Sequence, residues 1–213
     1  RIILKIKVIH LSKILLFLTL LVTLLTVGIS IVIATSEDYI EVPIIMYHSI
    51  LKDSSRSNKY TVTPTVLEED LKYIKDKGYT TVTITDLISY VYDNKPLPEN
   101  PIVLTFDDGH YNNYGYLFPL LEKYDMKAVI SIVGSYTDKF TETDEANLNY
   151  SYLRWKDIKE LMDTGRIEFQ NHTYNLHSNT GKRIGTKKIK GETDEHYKSI
   201  LKDDILKLQQ EFE

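Results

Sequence analysis

Short apolar runs alternate along the chain with segments in which apolar residues recur at helical spacing. The runs predict strands that end at residues 47, 84, 106, 133 and 171, and residues 102–104, uniformly apolar after Pro101, are typical of a strand buried on both faces. Helices are predicted at residues 64–77, 86–92, 116–124, 155–164 and 197–212. The acidic segment 138–149, almost without aliphatic residues, is predicted to be a surface loop. Strands alternating with helices indicate an α/β fold with a parallel sheet.

The start of the chain differs, because residues 14–34 form an unbroken uncharged segment of 21 residues. A helix of roughly that length crosses a hydrocarbon core of about 30 Å. Basic residues precede the segment and acidic residues follow it: Arg1, Lys5, Lys7 and Lys13, then Glu37, Asp38 and Glu41. The positive-inside rule therefore predicts a cytoplasmic segment 1–13, a single-pass membrane anchor at 14–34 and an extracellular remainder. The length favours an uncleaved anchor, and a cleaved signal that releases a secreted protein is the alternative.

Composition and charge narrow the possible partners. The chain has 213 residues, enough for one domain with a sizeable core after the N-terminal segment. Its formal net charge of −4 gives no electrostatic reason to expect nucleic acid as a partner. Cysteine is absent, which excludes a disulfide framework and a thiolate zinc site.

Two neighbouring carboxylates, Asp107 and Asp108, follow the central apolar run and precede Gly109. Like charges a few ångströms apart repel each other unless a cation or another positive group lies beside them. Asp-Asp-Gly is also ordinary turn chemistry, so a solvated turn is the alternative for this tripeptide alone.

A second polar cluster favours the metal interpretation. His172 and His177 follow the predicted strand that ends at residue 171, and two imidazoles with one carboxylate form a familiar catalytic metal set. In a parallel sheet both clusters lie at the carboxyl ends of strands, where such folds place their sites. His48 follows the first strand, where it could equally line the pocket or hold a loop.

These residues carry a resemblance to a known family. Thr105-Phe106-Asp107-Asp108-Gly109, followed by His172-Thr173-Tyr174-Asn175-Leu176-His177, resembles the first two motifs of the polysaccharide deacetylase family, also called the NodB-homology or carbohydrate esterase 4 domain. Residues 43–50 resemble the opening strand of its poly-N-acetylglucosamine deacetylase branch. The chain departs from the usual second motif by placing four residues, rather than three, between its histidines.

The resemblance implies a fold, a site and a reaction. The fold would be a distorted (β/α) barrel, with Asp107 as general base and with Asp108, His172 and His177 holding a divalent metal, Zn²⁺ or another ion. His48 and Thr173 are candidates for substrate binding, and Thr173 would also steady the ligand loop by hydrogen bonding. The reaction would remove N-acetyl groups from an extracellular GlcNAc-containing polysaccharide, such as an exopolysaccharide or peptidoglycan. An O-deacetylase of acetylated xylan and a non-catalytic wall carbohydrate-binding protein are the alternatives.

The domain organisation that follows is a cytoplasmic segment 1–13, an anchor 14–34, a linker 35–41 and a deacetylase domain 42–213. The later motifs of the family, an arginine near a proline and a Leu-x-His histidine, find no match after His177, because no proline follows Pro119 and His196 lies in a predicted helix. We therefore expect the barrel to be incomplete at its C-terminus and the general acid to lie beyond residue 213.

Overall fold

The computed structural model describes residues 11–35 and 40–213, with the side chains of the first helix described over residues 15–27. The chain divides into two compact units, Arg1–Glu41 and Val42–Glu213. In the first unit, helix α1 spans Leu11–Thr35. Among the described residues, no helix is found to be both long enough and apolar enough for a membrane crossing. The charged residues at positions 1, 5, 7, 37 and 38 lie outside the described residues, and the anchor at 14–34 stays a prediction.

In the second unit, strands and helices alternate as the pattern predicts. The strands are β1 Ile44–Tyr47, β2 Ser49–Ile50, β3 Thr61–Val62, β4 Thr80–Thr81, β5 Pro101–Asp108, β6 Ala128–Ile132 and β7 Ile167–Asn171. The helices are α2 Pro64–Asp76, α3 Ile84–Asp93, α4 Phe118–Tyr124, α5 Gly134–Thr143, α6 Trp155–Asp163 and α7 Asp194–Glu211. A 3-10 turn spans Ser54–Arg56, and a π-helical turn, Asn113–Leu117, runs directly into α4.

Strand β5 is the centre of a five-stranded sheet in which every pair is parallel. It pairs with β1, with the short β4 near its start and with β6, and β6 pairs in turn with β7. Strands β2 and β3 form a separate parallel pair. The α/β fold with a parallel sheet is therefore confirmed, and the carboxyl ends of β1, β5, β6 and β7 lie along one rim.

Strand β5 is buried on both faces of the sheet, and this packing fixes the position of the residues at its end. On one face of the sheet, Leu104 and Phe106 pack among the apolar residues of the surrounding helices and are fully buried. On the other face, Val103 is fully buried in a smaller cluster with Val82 and Val129. The prediction that residues 102–104 are buried on both faces is confirmed, since none of the three is more than 2% exposed.

Local capping chemistry explains both a success and an error of the prediction. Helix α2 begins as predicted, because the Thr63 side chain accepts a hydrogen bond from the Val66 amide and Pro64 takes the first helical position. The predicted strand 79–84 is wrong after residue 81. Thr83 and Asp86 form a reciprocal capping box, which draws Ile84 into helix α3.

The prediction of a surface loop at 138–149 is wrong up to residue 143, because helix α5 covers Gly134–Thr143, whereas residues 144–149 lie outside any helix or strand. Its Thr137 and Phe140 side chains are buried. The Asp138 carboxylate is paired within the protein, since it accepts hydrogen bonds from the Trp155 indole at 2.8 Å and from the Tyr174 hydroxyl at 2.9 Å. The acidic composition of this segment thus reflects partners distant in sequence, which a local pattern cannot reveal.

The last predicted helix is present as α7, Asp194–Glu211, capped by Thr193. Its apolar stripe is buried far less than the pattern suggests. Leu208 is fully buried, whereas Ile205 is 46% exposed. Polar contacts of Asp204 and of the Ile205 carbonyl add to the packing of Leu208, and they become important at the candidate site.

Candidate metal centre

The end of β5 places two carboxylates at the rim in an unusual backbone conformation. Asp107 and Asp108 are its last residues, so the strand extends two residues past the predicted end. Asp108 has φ +73° and Gly109 also has φ +73°. A Cβ at Gly109 would lie 2.8 Å from the Ile132 side chain, so only glycine fits there. Positive φ at an aspartate costs about 1–3 kcal/mol and is typical of functional sites.

One carboxylate oxygen, Asp108 Oδ1, lies close to both predicted histidine ligands. Asp108 Oδ1 lies 3.5 Å from His172 Nε2 and 3.1 Å from His177 Nε2. This oxygen is buried and has no hydrogen-bond partner in the structure. Ligand atoms of all three residues lie within 4.8 Å of one another, as a shared metal ion requires.

The donor set fits a divalent metal. Tetrahedral Zn²⁺ holds nitrogen and oxygen ligands at about 2.0–2.2 Å, which separates the ligand atoms by roughly 3.4 Å. The two distances observed at Asp108 Oδ1 lie close to that separation. Three protein ligands are also the number that catalytic zinc sites use.

The longer histidine spacing does not displace His177. The backbone amide of His172 donates to the Ile132 carbonyl at 2.9 Å, which fixes the start of the loop on β6. Five residues later in the loop, His177 still reaches the same carboxylate oxygen. The predicted hydrogen bonding of Thr173 is made by its backbone, whose amide donates to Asn171 Oδ1 at 2.8 Å and whose carbonyl accepts from the Gly134 amide at 3.1 Å. The Thr173 hydroxyl is buried without a partner, and its backbone has φ +81°.

The two adjacent aspartates experience opposite electrostatic environments. Burial raises the pKa of the Asp107 carboxyl, and the nearby His172 and His48 only partly offset this effect. Burial also acts to raise the pKa of Asp108, but the interactions with His110 and His177 outweigh it and leave the pKa below its ordinary value. A site that separates neighbouring carboxyl groups in this way is suited to giving them different roles.

The candidate metal centre opens into a cavity of about 600 Å³. His48 lies in its wall, with its ring centroid 5.1 Å from that of Tyr60. Asp108 and His177 line the same cavity. A neighbouring cavity of about 450 Å³ is lined by Tyr136 and shares His177 with the first. The two cavities therefore adjoin each other at a wall that Tyr152, His177 and Asn179 form.

A cavity of about 660 Å³ elsewhere contains none of the predicted site residues. It lies beside β4 and the starts of β6 and β7. Four of its charged groups form two pairs, since Arg166 binds Asp125 at 2.9 Å and Lys127 lies 3.9 Å from Asp86. Although slightly larger, this cavity offers no set of groups for hydrolysis.

Sequence reasoning gave no role to the aromatic residues around the centre. Tyr152 stacks on His110 with ring centroids 4.8 Å apart, and Tyr136 lies 4.6 Å from Tyr152. Burial and the Asp108 charge raise the pKa of Tyr152 to about 12, so its phenol stays protonated as a hydrogen-bond donor. The chain has sixteen tyrosines, but composition does not reveal which of them meet at the rim.

Backbone pairing brings these aromatic residues to the centre. The Leu153 amide donates to the Gly109 carbonyl at 2.8 Å, and the Tyr111 amide donates to the Ser151 carbonyl at 2.9 Å. The segment before α6 is thereby attached to the turn that follows the aspartate pair. His110 Nε2 lies 3.6 Å from Asp108 Oδ2, so it contacts the carboxylate oxygen that does not face His172 and His177.

A parallel α/β sheet whose rim joins a strained aspartate to two histidines defines a domain with a candidate hydrolytic metal centre. The sequence profile of the family Polysaccharide deacetylase matches residues 94–211, more than half of the chain. The chain belongs to this family. The matched region contains β5, β6 and β7, and it includes all three candidate metal ligands and Asp107.

Individual relatives agree with this assignment. The poly-beta-1,6-N-acetyl-D-glucosamine N-deacetylase of Escherichia coli (strain K12) is 29% identical over 138 residues, covering 62% of this chain and 20% of that protein. The protein of the same name from Staphylococcus epidermidis is 28% identical over 136 residues, covering 64% of this chain and 45% of that protein. The chain thus spans between a fifth and a half of the length of these relatives.

A solved structure supports the fold assignment. The de-N-acetylase from Aggregatibacter actinomycetemcomitans superposes with a TM-score of 0.63 and 26% sequence identity. The similarity covers 76% of this chain and 70% of that chain.

Proposed function

We propose that this protein is a metal-dependent N-deacetylase of a GlcNAc-containing polysaccharide. The observation that carries the proposal is the buried, unpartnered Asp108 Oδ1, which faces the Nε2 atoms of His172 and His177 beside a second carboxylate. The relatives named as poly-beta-1,6-N-acetyl-D-glucosamine N-deacetylases support an N-acetylated polymer as the substrate.

Each residue of the centre has a distinct role in this proposal. Asp108, His172 and His177 would hold a divalent ion, Zn²⁺ or another, beside the cavity that His177 and Asp108 line. When bound, the ion supplies a Lewis acid for the acyl carbonyl and lowers the pKa of water. Asp107 lies outside the ligand set and accepts the proton of the attacking water as general base.

The shape of the site supports a polymeric substrate. The two adjoining cavities that share His177 give a chain of sugars space beyond the acetylated unit. Tyr152 lines both cavities and Tyr136 lines the second, and such rings combine an apolar face with a polar tip. The hydroxyl of Tyr152 can donate to a sugar oxygen or to the acetyl group.

Acetate release from a panel of polymers tests the proposed function. In a protein that includes the general acid of the family's later motifs, we expect acetate release from poly-β-1,6-N-acetylglucosamine, loss of this activity with a chelator, and its return with Zn²⁺ or another divalent ion. Acetate from acetylated xylan alone would instead identify an O-deacetylase. Metal and polymer binding without acetate from any substrate would identify a carbohydrate-binding protein.

We also propose that the five-stranded sheet is part of the distorted (β/α) barrel that the family resemblance implies. Its support is the uniformly parallel pairing, with the candidate ligands at the carboxyl ends of β5 and β7. Active sites of (β/α) barrels lie at that rim.

The proposed location is the outer face of the cell membrane, with residues 14–34 as the anchor. The support is the uncharged segment with basic residues before it and acidic residues after it. We expect the protein to stay with the membrane fraction after a high-salt wash, and protease added to intact cells to cleave residues 42–213. Recovery in the cytoplasmic fraction would refute this topology, and a shortened chain in the medium would show that the segment is a cleaved signal.

A further inference from the structure

The loop between the two histidines is attached to helix α7 by a single carboxylate. Asp204 Oδ1 accepts a hydrogen bond from the backbone amide of Tyr174 at 2.8 Å, and Asp204 Oδ2 accepts one from the amide of Asn175 at 2.7 Å. Tyr174 and Asn175 are the two central residues of the four that separate His172 from His177. Hydrogen bonds to an ionised carboxylate are stronger than those between neutral groups.

Other contacts of α7 reinforce this attachment. The Asn171 side-chain amide donates to the Ile205 carbonyl at 2.9 Å. The Lys207 ammonium lies 3.4 Å from the centroid of the Tyr174 ring, and the hydroxyl of that ring donates to Asp138 of α5. The loop is therefore held between α5 and α7, although α7 buries little of its own apolar stripe.

The two histidines do not depend on this attachment equally. His172 follows β7 directly, and its amide is bonded to the carbonyl of Ile132 in β6. His177 lies beyond the Asp204 hydrogen bonds, and its ring centroid lies 5.1 Å from that of His172 and 6.0 Å from that of Tyr136. The position of His177 relative to Asp108 therefore depends on the path of the loop that Asp204 fixes.

We infer that Asp204 is a positioning residue of the metal centre, which acts through the loop on His177. This inference rests on the proposed function, because it assumes that His177 is a metal ligand. Outer-shell groups of this kind commonly contribute about 10- to 100-fold to metal affinity. The additional residue between the histidines makes the loop longer, and Asp204 binds the middle of that longer loop.

Replacing Asp204 by asparagine tests the inference with little change in shape. The amide offers one acceptor oxygen in place of two, so one backbone amide loses its partner and faces an NH₂ group. Asp203→Asn is the matched control, because Asp203 is the exposed neighbour on α7 and only accepts a 3.3 Å hydrogen bond from Ser199. Both variants remove the same charge from the same helix.

Co²⁺ binding to the full chain, followed by visible absorption, is the measurement. We expect Asp204→Asn to weaken Co²⁺ binding by about 10- to 100-fold relative to Asp203→Asn. Its Co²⁺ spectrum should approach that of His177→Ala. If Asp204 acts through His177, adding Asp204→Asn to His177→Ala should change the affinity little further. An equal loss in both backgrounds, or no loss in either, would overturn the inference.

Two further results separate this inference from the proposed function. If the unaltered protein and Asp203→Asn both fail to bind Co²⁺, the metal centre itself is refuted, and Asp204 has no ion to position. If Asp204→Asn does not melt cooperatively, amide exchange in the unaltered protein decides. We then expect the Tyr174 and Asn175 amides to be protected, and exchange at the rate of free loop amides would overturn the role of Asp204.

Discussion

Asp107→Asn is expected to lower acetate release by about 10²- to 10⁴-fold while the protein keeps its full metal content. Asparagine preserves the shape of the side chain but cannot accept the proton of the attacking water. Asp107 does not belong to the group of residues whose ligand atoms converge, so its substitution leaves all three ligands in place.

Elemental analysis and acetate assays on the same preparation check this prediction. Asp163→Asn is a suitable control, because Asp163 lies exposed on α6 and pairs only with Lys159 at 3.5 Å. A variant at position 107 that emptied the metal centre would show that the two adjacent aspartates have the opposite roles.

Asp108→Asn and His172→Ala are expected to remove the metal itself. Asp108 Oδ1 is the atom that both imidazoles face, and His172 is anchored on β6 through its backbone amide. Either change removes one of three ligands, so affinity should fall by more than the roughly 10- to 100-fold loss caused by an outer-shell substitution. Activity should disappear together with the metal.

The measurement is metal content after gel filtration, with His196→Ala as the matched control for the histidine. The His196 side chain is 67% exposed on α7, and it lies outside the group that could hold the ion. Full metal occupancy in Asp108→Asn, with normal acetate release, would exclude this carboxylate as a ligand.

The parts of the fold that the sequence predicted well are those governed by near neighbours. Residues 102–104 are uniformly apolar because the strand has no solvent face, and this property is visible in a window of a few residues. Thr63 and Pro64 predict the start of α2 for the same reason, because capping acts within one turn of the helix.

The errors arose where a competing local interaction or a distant partner decided the structure. Thr83 belongs to a residue type that is common in strands, but its capping box with Asp86 begins helix α3 at this segment. Asp138 looks like part of a solvated acidic loop, yet Trp155 and Tyr174 donate to it from elsewhere in the fold. The periodic pattern of apolar residues carries no information about contacts between residues that are distant in sequence.

The candidate centre also combines features that the sequence predicts with features that depend on residues distant in sequence. The convergence of its three candidate ligands could be predicted, because a parallel sheet brings the ends of its strands to one rim and few residue types bind metals. Tyr152 and Asp204 could not be predicted as neighbours of the centre. They reach it through hydrogen bonds and ring contacts of segments whose sequence carries no metal-binding pattern.

Ile132, at the end of β6, contacts both segments that carry the candidate ligands. Its side chain lies 2.8 Å from the position that a Cβ at Gly109, immediately after Asp108, would take. Its carbonyl accepts a hydrogen bond from the amide of His172. Because Ile132 contacts the segments of both Asp108 and His172, a small displacement of β6 would move these two residues in the same direction. The separation between these two ligands should therefore fluctuate less than the distance of either from the outer helices, so the spacing needed by an ion can persist while the rest of the domain moves.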